Sequence, residues 1–179
     1  MLEIKFFGRG GQGVVKASQI LGLSFYKAGM YPQCYSLFGG ERRGAPLVSF
    51  LRVDKDKILL KCEIENADEL LYLDDSLINP EDIYNLLRPA GRILINTHQS
   101  PDVFDSLKRF DLGFIDAQAI AKESGLGKTI NTAFLGAYCR FTGHIPLDDI
   151  LWAIEESFSE KKEANREAAQ KGYANFSPY

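Results

Sequence analysis

The first residues able to do chemistry form one run, Gly8-Arg9-Gly10-Gly11-Gln12-Gly13. It follows a strand-like segment, Leu2 to Phe7, and opens a helix-like one, Val14 to Ala28. Glycines at a strand-to-helix junction let the backbone turn tightly and come close to another group. The bare N–H groups of a helix start favour an anion, or an acceptor on a partner. A second run, Gly39-Gly40-Glu41-Arg42-Arg43-Gly44-Ala45-Pro46, sets two arginines between glycines. Guanidinium groups are planar, multi-donor partners for carboxylate or phosphate. A solvated turn with adjacent charges accounts equally for that run taken alone.

Several familiar chemistries fit poorly. Gly8, Gly10 and Gly13 match the dinucleotide spacing G-x-G-x-x-G. That reading also needs an acid at the end of the second strand, about 20 residues on, to hold the ribose. Tyr31 to Phe38 contains none, and Glu41 comes too late. Gly125-Leu126-Gly127-Lys128-Thr129 invites a phosphate-loop reading, but Lys122 stands where the first glycine is needed. His98 and His144 have no metal-ligand spacing around them. Cys34, Cys62 and Cys139 are scattered and odd in number. They point to a reducing cytoplasm, and without a C-x-x-C this chain alone is not expected to hold an iron–sulfur cluster or another metal.

The elements that must position these loops follow from periodicity. The 179 residues suggest one domain, 1–179, and the 45% hydrophobic and 25% charged content is that of an ordinary globular chain. The net charge of −3 gives no reason to expect nucleic-acid binding. No apolar run approaches the roughly 20 residues that span a bilayer. Met1 to Phe7 reads as a strand, not a signal peptide, so the expected location is the cytoplasm. Val14, Ala17, Leu21, Phe25 and Ala28 form a helical stripe, and Pro32 to Phe38 a second strand. Leu47–Val53 and Ile58–Ile64, joined by Asp54-Lys55-Asp56-Lys57, read as an antiparallel hairpin. Further strands are expected at Glu69–Leu73, Arg92–Asn96 and Leu112–Ile115. Helices are expected after Asn79 and Ser100, and at 117–123, 131–141 and 146–158. Asp74 and Asp75 end a strand, where such a pair either faces a crevice or caps a loop. The aromatic tail, Tyr173, Phe176 and Tyr179, must dock on its own domain or on a partner. The order of elements predicts an α/β fold: three layers, α/β/α, around a mixed, mostly parallel sheet carrying the antiparallel hairpin.

The two glycine runs in this order resemble the gamma subunit of 2-oxoacid:ferredoxin oxidoreductases, in the pyruvate and 2-ketoisovalerate branch. Asn131-Thr132, Leu135-Gly136-Ala137, Leu147 to Phe158, Lys161-Lys162 and Asn165 also resemble that family, so the likeness covers nearly the whole chain. One departure is Gly40, where proline is often expected. The resemblance implies a hetero-oligomer with alpha, beta and ferredoxin-like delta subunits. That complex decarboxylates a 2-oxoacid oxidatively with coenzyme A and passes electrons to ferredoxin. Thiamine diphosphate, iron–sulfur clusters and coenzyme A are then expected in the complex, with none held by this chain alone. The site residues it implies are Gly8, Arg9, Gly10, Gly11, Gln12, Gly13, Glu41, Arg42, Arg43 and Gly44. They would contact either anionic groups of coenzyme A or a sister subunit. Indolepyruvate or 2-oxoglutarate as substrate, a free-standing nucleotide- or CoA-binding module, and a stand-alone dehydrogenase are the competing readings.

Overall fold

The computed structural model describes residues 1–38 and 44–179, so Glu41, Arg42 and Arg43 lie outside the described residues. One seven-stranded sheet runs through the molecule. Its strands are β1 (Leu2–Arg9), β2 (Tyr31–Phe38), β3 (Pro46–Asp54), β4 (Ala67–Tyr72), β5 (Leu87–Asn96), β6 (Asp111–Ile115) and β7 (Ser177–Pro178). Their order across the sheet is β2-β3-β1-β4-β5-β6-β7. β1, β4, β5 and β6 run parallel, whereas β3 is antiparallel to both its neighbours and β7 is antiparallel to β6. The sheet is therefore mixed, with helices on both sides.

The helices are α1 (Val14–Lys27), α2 (Pro80–Leu86), α3 (Ala117–Glu123), α4 (Asn131–Thr142), α5 (Leu147–Ser157) and α6 (Lys162–Ala174). Apolar residues alternate along β1, so Ile4 and Phe6 face one core, where they meet α1, α4 and α5 through Leu21, Phe134 and Ile154. The opposite core sits under α2 and the 3-10 segment Pro101–Leu107, and is built from Leu70, Tyr72, Ile93, Ile95, Ile83 and Phe104. α4 is buried from Asn131 to Cys139 because it lies between the sheet and α6. The α4–α6 crossing is a backbone-to-backbone contact. A Cβ on Gly136 would stand 1.8 Å from the Ala169 carbonyl oxygen, and one on Gly172 would stand 1.9 Å from that of Ala133.

The antiparallel element differs from the sequence expectation. The hairpin pairs β2 with β3, through the loop that carries the two arginines. Ile58–Ile64 is not a strand. β3 is bonded along its whole length to β1 on one side and β2 on the other, which leaves it no edge for a further strand. The segment folds over the sheet face instead, and side chains satisfy its carbonyls. Arg52 donates to Cys62 O at 2.7 Å and Glu63 O at 3.1 Å. Tyr35 Oη donates to Cys62 O at 2.8 Å, and Gln33 Nε2 to Leu60 O at 2.8 Å. Arg52 is itself buried, with its Nε donating to Glu3 at 2.8 Å. The aromatic tail docks on its own chain: Phe176 packs on Phe141 with ring centroids 5.3 Å apart, and Tyr179 N donates to Leu112 O at 3.1 Å.

The crossing gives a direct test of the packing. A Gly136→Ala variant has no flexible neighbour to displace, so it is expected to lose about 3 kcal/mol or more of stability. Denaturant unfolding measures this, and an unchanged midpoint would show that α4 and α6 do not meet as described.

Candidate functional site

Local chain geometry builds the site from the glycine run upward. Gly8 and Arg9 end β1, and Gly13 caps α1 with φ 86°, a left-handed conformation that strongly favours glycine. No side chain caps this helix. The run is held by Gln12. Its Oε1 accepts from Arg9 N at 2.7 Å, and its Nε2 donates to Asp74 Oδ2 at 3.0 Å. Arg9 reaches the same carboxylate, Nε to Oδ2 at 3.3 Å, and donates from Nη2 to Ser76 Oγ at 2.9 Å. Asp74 in turn accepts from Ser76 N at 3.1 Å. The end of β1 is thus locked to the end of β4.

The second loop joins the first. Gly10 N donates to Ala45 O at 3.0 Å, Gly44 N donates to Gly10 O at 3.2 Å, and Arg9 Nη1 donates to Gly44 O at 3.2 Å. Gly8, Arg9, Gly10, Gly11, Gln12, Gly13 and Gly44 therefore form one edge at the carboxyl ends of β1 and β2. The expected roles of Glu41, Arg42 and Arg43 fall outside the described residues.

A cleft of about 430 Å³ opens beside this edge, lined by Arg9, Gly11, Gly13, Val14–Lys16, Leu47, Thr129, Asn131 and Phe158. Lys16 lies over the Phe158 ring, 5.4 Å from its centroid. Asn131 is fully buried against Gly13, where its Nδ2 lies 2.7 Å from the position a Cβ would take. Its Oδ1 accepts from Thr132 N at 2.9 Å, but its Nδ2 has no partner among the described residues. A buried amide with an idle donor, next to an uncapped helix start, is suited to an acceptor or an anion. Thr132 Oγ1 donates to Asn165 Oδ1 at 3.2 Å, and Asn165 Nδ2 to Lys161 O at 2.9 Å. Residues more than 30 apart in sequence thus converge behind the cleft. Spacing alone assigned no role to Asn131; the idle donor becomes visible only once α4 packs against the glycine run.

Asp74 caps a turn, and both Asp74 and Asp75 face a crevice. Asp74 caps the 3-10 turn Asp75–Leu77, and both line a second cavity of about 470 Å³ with Thr97, His98 and Asp116. Asp75 accepts from Thr97 Oγ1 at 2.6 Å and Gln99 Nε2 at 2.9 Å. His144 lies at the other end of the strands, near the start of β4, 2.9 Å from the buried carboxylate of Glu69. Cys34, Cys62 and Cys139 are free thiols, with Cys139 buried and the other two exposed. Burial pushes the Cys139 thiol up to about 12, and among the described residues no three His, Cys, Asp or Glu side chains come together as a metal site.

The fold and edge define an α/β protein with a glycine loop between its first strand and helix, clamped to an arginine-bearing hairpin. The model of the pyruvate ferredoxin/flavodoxin oxidoreductase family matches residues 3–175, and the chain belongs to that family. It is 41% identical over 178 residues to the pyruvate/ketoisovalerate oxidoreductases common subunit gamma of Thermococcus kodakarensis, covering 97% of this chain and 96% of that one. It is 38% identical over 175 residues to pyruvate synthase subunit PorC of Methanothermobacter marburgensis, with the same coverage. The crystal structure of pyruvate oxidoreductase subunit PORC from Thermotoga maritima superposes with a TM-score of 0.84 at 32% identity, covering 99% of this chain and 97% of that one.

Gln12 provides the test of the clamp. Gln12→Ala frees Arg9 N and Asp74 together, with an expected cost of about 1–2 kcal/mol. Gln12→Glu sets a second carboxylate against Asp74 and is expected to cost more. Chemical denaturation of both variants checks the order; an equal effect would mean that the Gln12–Asp74 contact is not made.

Proposed function

We propose that residues 1–179 act as one gamma-type domain of a 2-oxoacid:ferredoxin oxidoreductase in the cytoplasm. The complex would convert pyruvate or a related 2-oxoacid, coenzyme A and oxidised ferredoxin to acyl-CoA, carbon dioxide and reduced ferredoxin. The coverage of curated gamma and PorC subunits from end to end supports this reading. Its partners are the alpha, beta and delta subunits. Thiamine diphosphate and the clusters belong to those sister chains.

Within the complex, the glycine edge completes the coenzyme A site or the contact with a sister subunit. The observation that carries this role is the idle Asn131 Nδ2 beside the uncapped start of α1. The N–H groups of Val14–Lys16 and the Asn131 amide would receive an anionic or carbonyl group, and Lys16 would add charge. Arg42 and Arg43 would approach the same group from the hairpin loop. Coenzyme A supplies the thiol that accepts the acyl group; the residues of this chain bind and orient it without joining the bond changes.

Co-expression of this chain with the three sister subunits tests the reading. The complete set is expected to reduce ferredoxin in the presence of 2-oxoacid and coenzyme A, and omission of this chain to abolish that activity. Arg42→Ala with Arg43→Ala is expected to leave the chain folded, since the sequence sets both arginines between glycines and surface substitutions seldom cost more than about 0.5 kcal/mol. It should weaken assembly or raise the KM for coenzyme A, and Asn131→Ala should raise that KM about tenfold. Full activity without this chain would refute the subunit role. Unchanged assembly and kinetics in the variants would refute the role of the edge.

A further inference from the structure

The cleft beside the start of α1 takes its walls from separate parts of the chain. Thr129 and Asn131 lead into α4, and Phe158 ends α5. Phe158 shortly precedes Lys161, which opens α6 with φ 53°. That left-handed conformation is uncommon for a lysine and persists only where neighbouring groups hold it. The Lys161 carbonyl accepts from Asn165 N at 3.0 Å and from Asn165 Nδ2 at 2.9 Å. Its Nζ donates to Gly125 O at 3.1 Å, on the loop that leads to Thr129.

Asn165 is only 3% exposed and uses both ends of its carboxamide. While Nδ2 holds Lys161, Oδ1 accepts from the buried Thr132 Oγ1 at 3.2 Å. Thr132 in turn fixes its neighbour. Its backbone N–H donates to Asn131 Oδ1 at 2.9 Å, so the Asn131 amide nitrogen is turned towards Gly13 and the start of α1. The Thr132–Asn165 pair lies one helical turn before the Gly136–Ala169 contact on each helix. Apolar side chains there would also keep α4 against α6, and burying a polar pair costs desolvation that its hydrogen bonds only offset. What the polar pair adds is direction. One rigid group offers an acceptor to α4 and a donor to residues 158–161, which neither leucine nor aspartate supplies.

We propose that Asn165 is a positioning residue of the cleft. It ties the start of α4 to the segment that carries Phe158, and thereby aims the idle Asn131 donor at the group bound beside α1. Asn165 itself does not line the cleft. The inference rests on the coenzyme A reading of the cleft given above.

The test uses the co-expressed complex, with kinetics measured on assembled enzyme so that lost stability alone does not register. Asn165→Ala removes both arms and is expected to raise the KM for coenzyme A about fivefold, with kcat within about twofold of wild type. Thr132→Val removes one arm at nearly constant shape and should raise that KM about threefold, whereas Thr132→Ser keeps the hydroxyl and the wild-type KM. Because Asn165 acts through Asn131, Asn131→Ala with Asn165→Ala should raise the KM no further than Asn131→Ala alone. If Asn131→Ala raises the KM while Asn165→Ala and Thr132→Val leave it unchanged, the positioning role is wrong and the coenzyme A reading stands. Additive effects in the double variant would overturn the positioning role in the same way. If Asn131→Ala itself leaves the KM unchanged, the coenzyme A reading of the cleft falls, and this inference with it. Should Asn165→Ala fail to assemble, the contrast between Thr132→Val and Thr132→Ser decides the matter alone: equal KM values overturn the inference.

Discussion

The fold depends on the insertion of β3, antiparallel, between β1 and β2. In a simple β-α-β unit the two parallel strands would be neighbours, and the loop after the second would not return along the first. Here the chain leaves β2 at the carboxyl end of β1, turns through the arginine loop, and runs back down between them. That reversal brings Gly44 and Ala45 into hydrogen bonds with Gly10. It also uses both edges of β3, which forces residues 58–64 out of the sheet and over its face. The glycine edge and the placement of that segment follow from one strand pairing.

The second constraint is the lock between β1 and β4. Backbone glycines permit a close approach but do not define one conformation, since they cost the most entropy to order. Gln12 and Arg9 supply the definition by converging on Asp74. Asp74 is already fixed as the cap of the next turn, so the loop inherits its position from β4. The buried Asn131 does the same from the other side, where α4 enters against Gly13. The resulting cleft has a polar donor left over, which is unusual in a packed interior and typical of a binding surface.

The sequence was most legible where one periodicity sufficed. α3 occupies residues 117–123 as its spacing predicts, and the alternation of β1 identifies which residues face the helices. The approach of Gly44 and Ala45 to Gly10 was also readable, because both segments fall at strand ends. Ile58–Ile64 misled because apolar residues alternate there as in a strand; what excluded it was the long-range occupation of both β3 edges, which no local pattern records. The partnership of Gln12 with Asp74, and the idle amide of Asn131, depend on side chains 62 and 118 positions away from their contacts in the glycine run. The tail was ambiguous until Phe176 found the space above Gly113, where a Cβ would lie 2.5 Å from its ring.

The central claim is that the edge built on Gly8–Gly13 and the start of α1 is completed by a ligand or partner in the assembled enzyme. Hydrogen–deuterium exchange reads this directly on the co-expressed complex, with and without coenzyme A. The account predicts slowed exchange at the amides of residues 10–16 and 129–131 on assembly or on addition of coenzyme A, with β5 and β6 unchanged by coenzyme A. Unaltered exchange at residues 10–16 in a complex that turns over would contradict it.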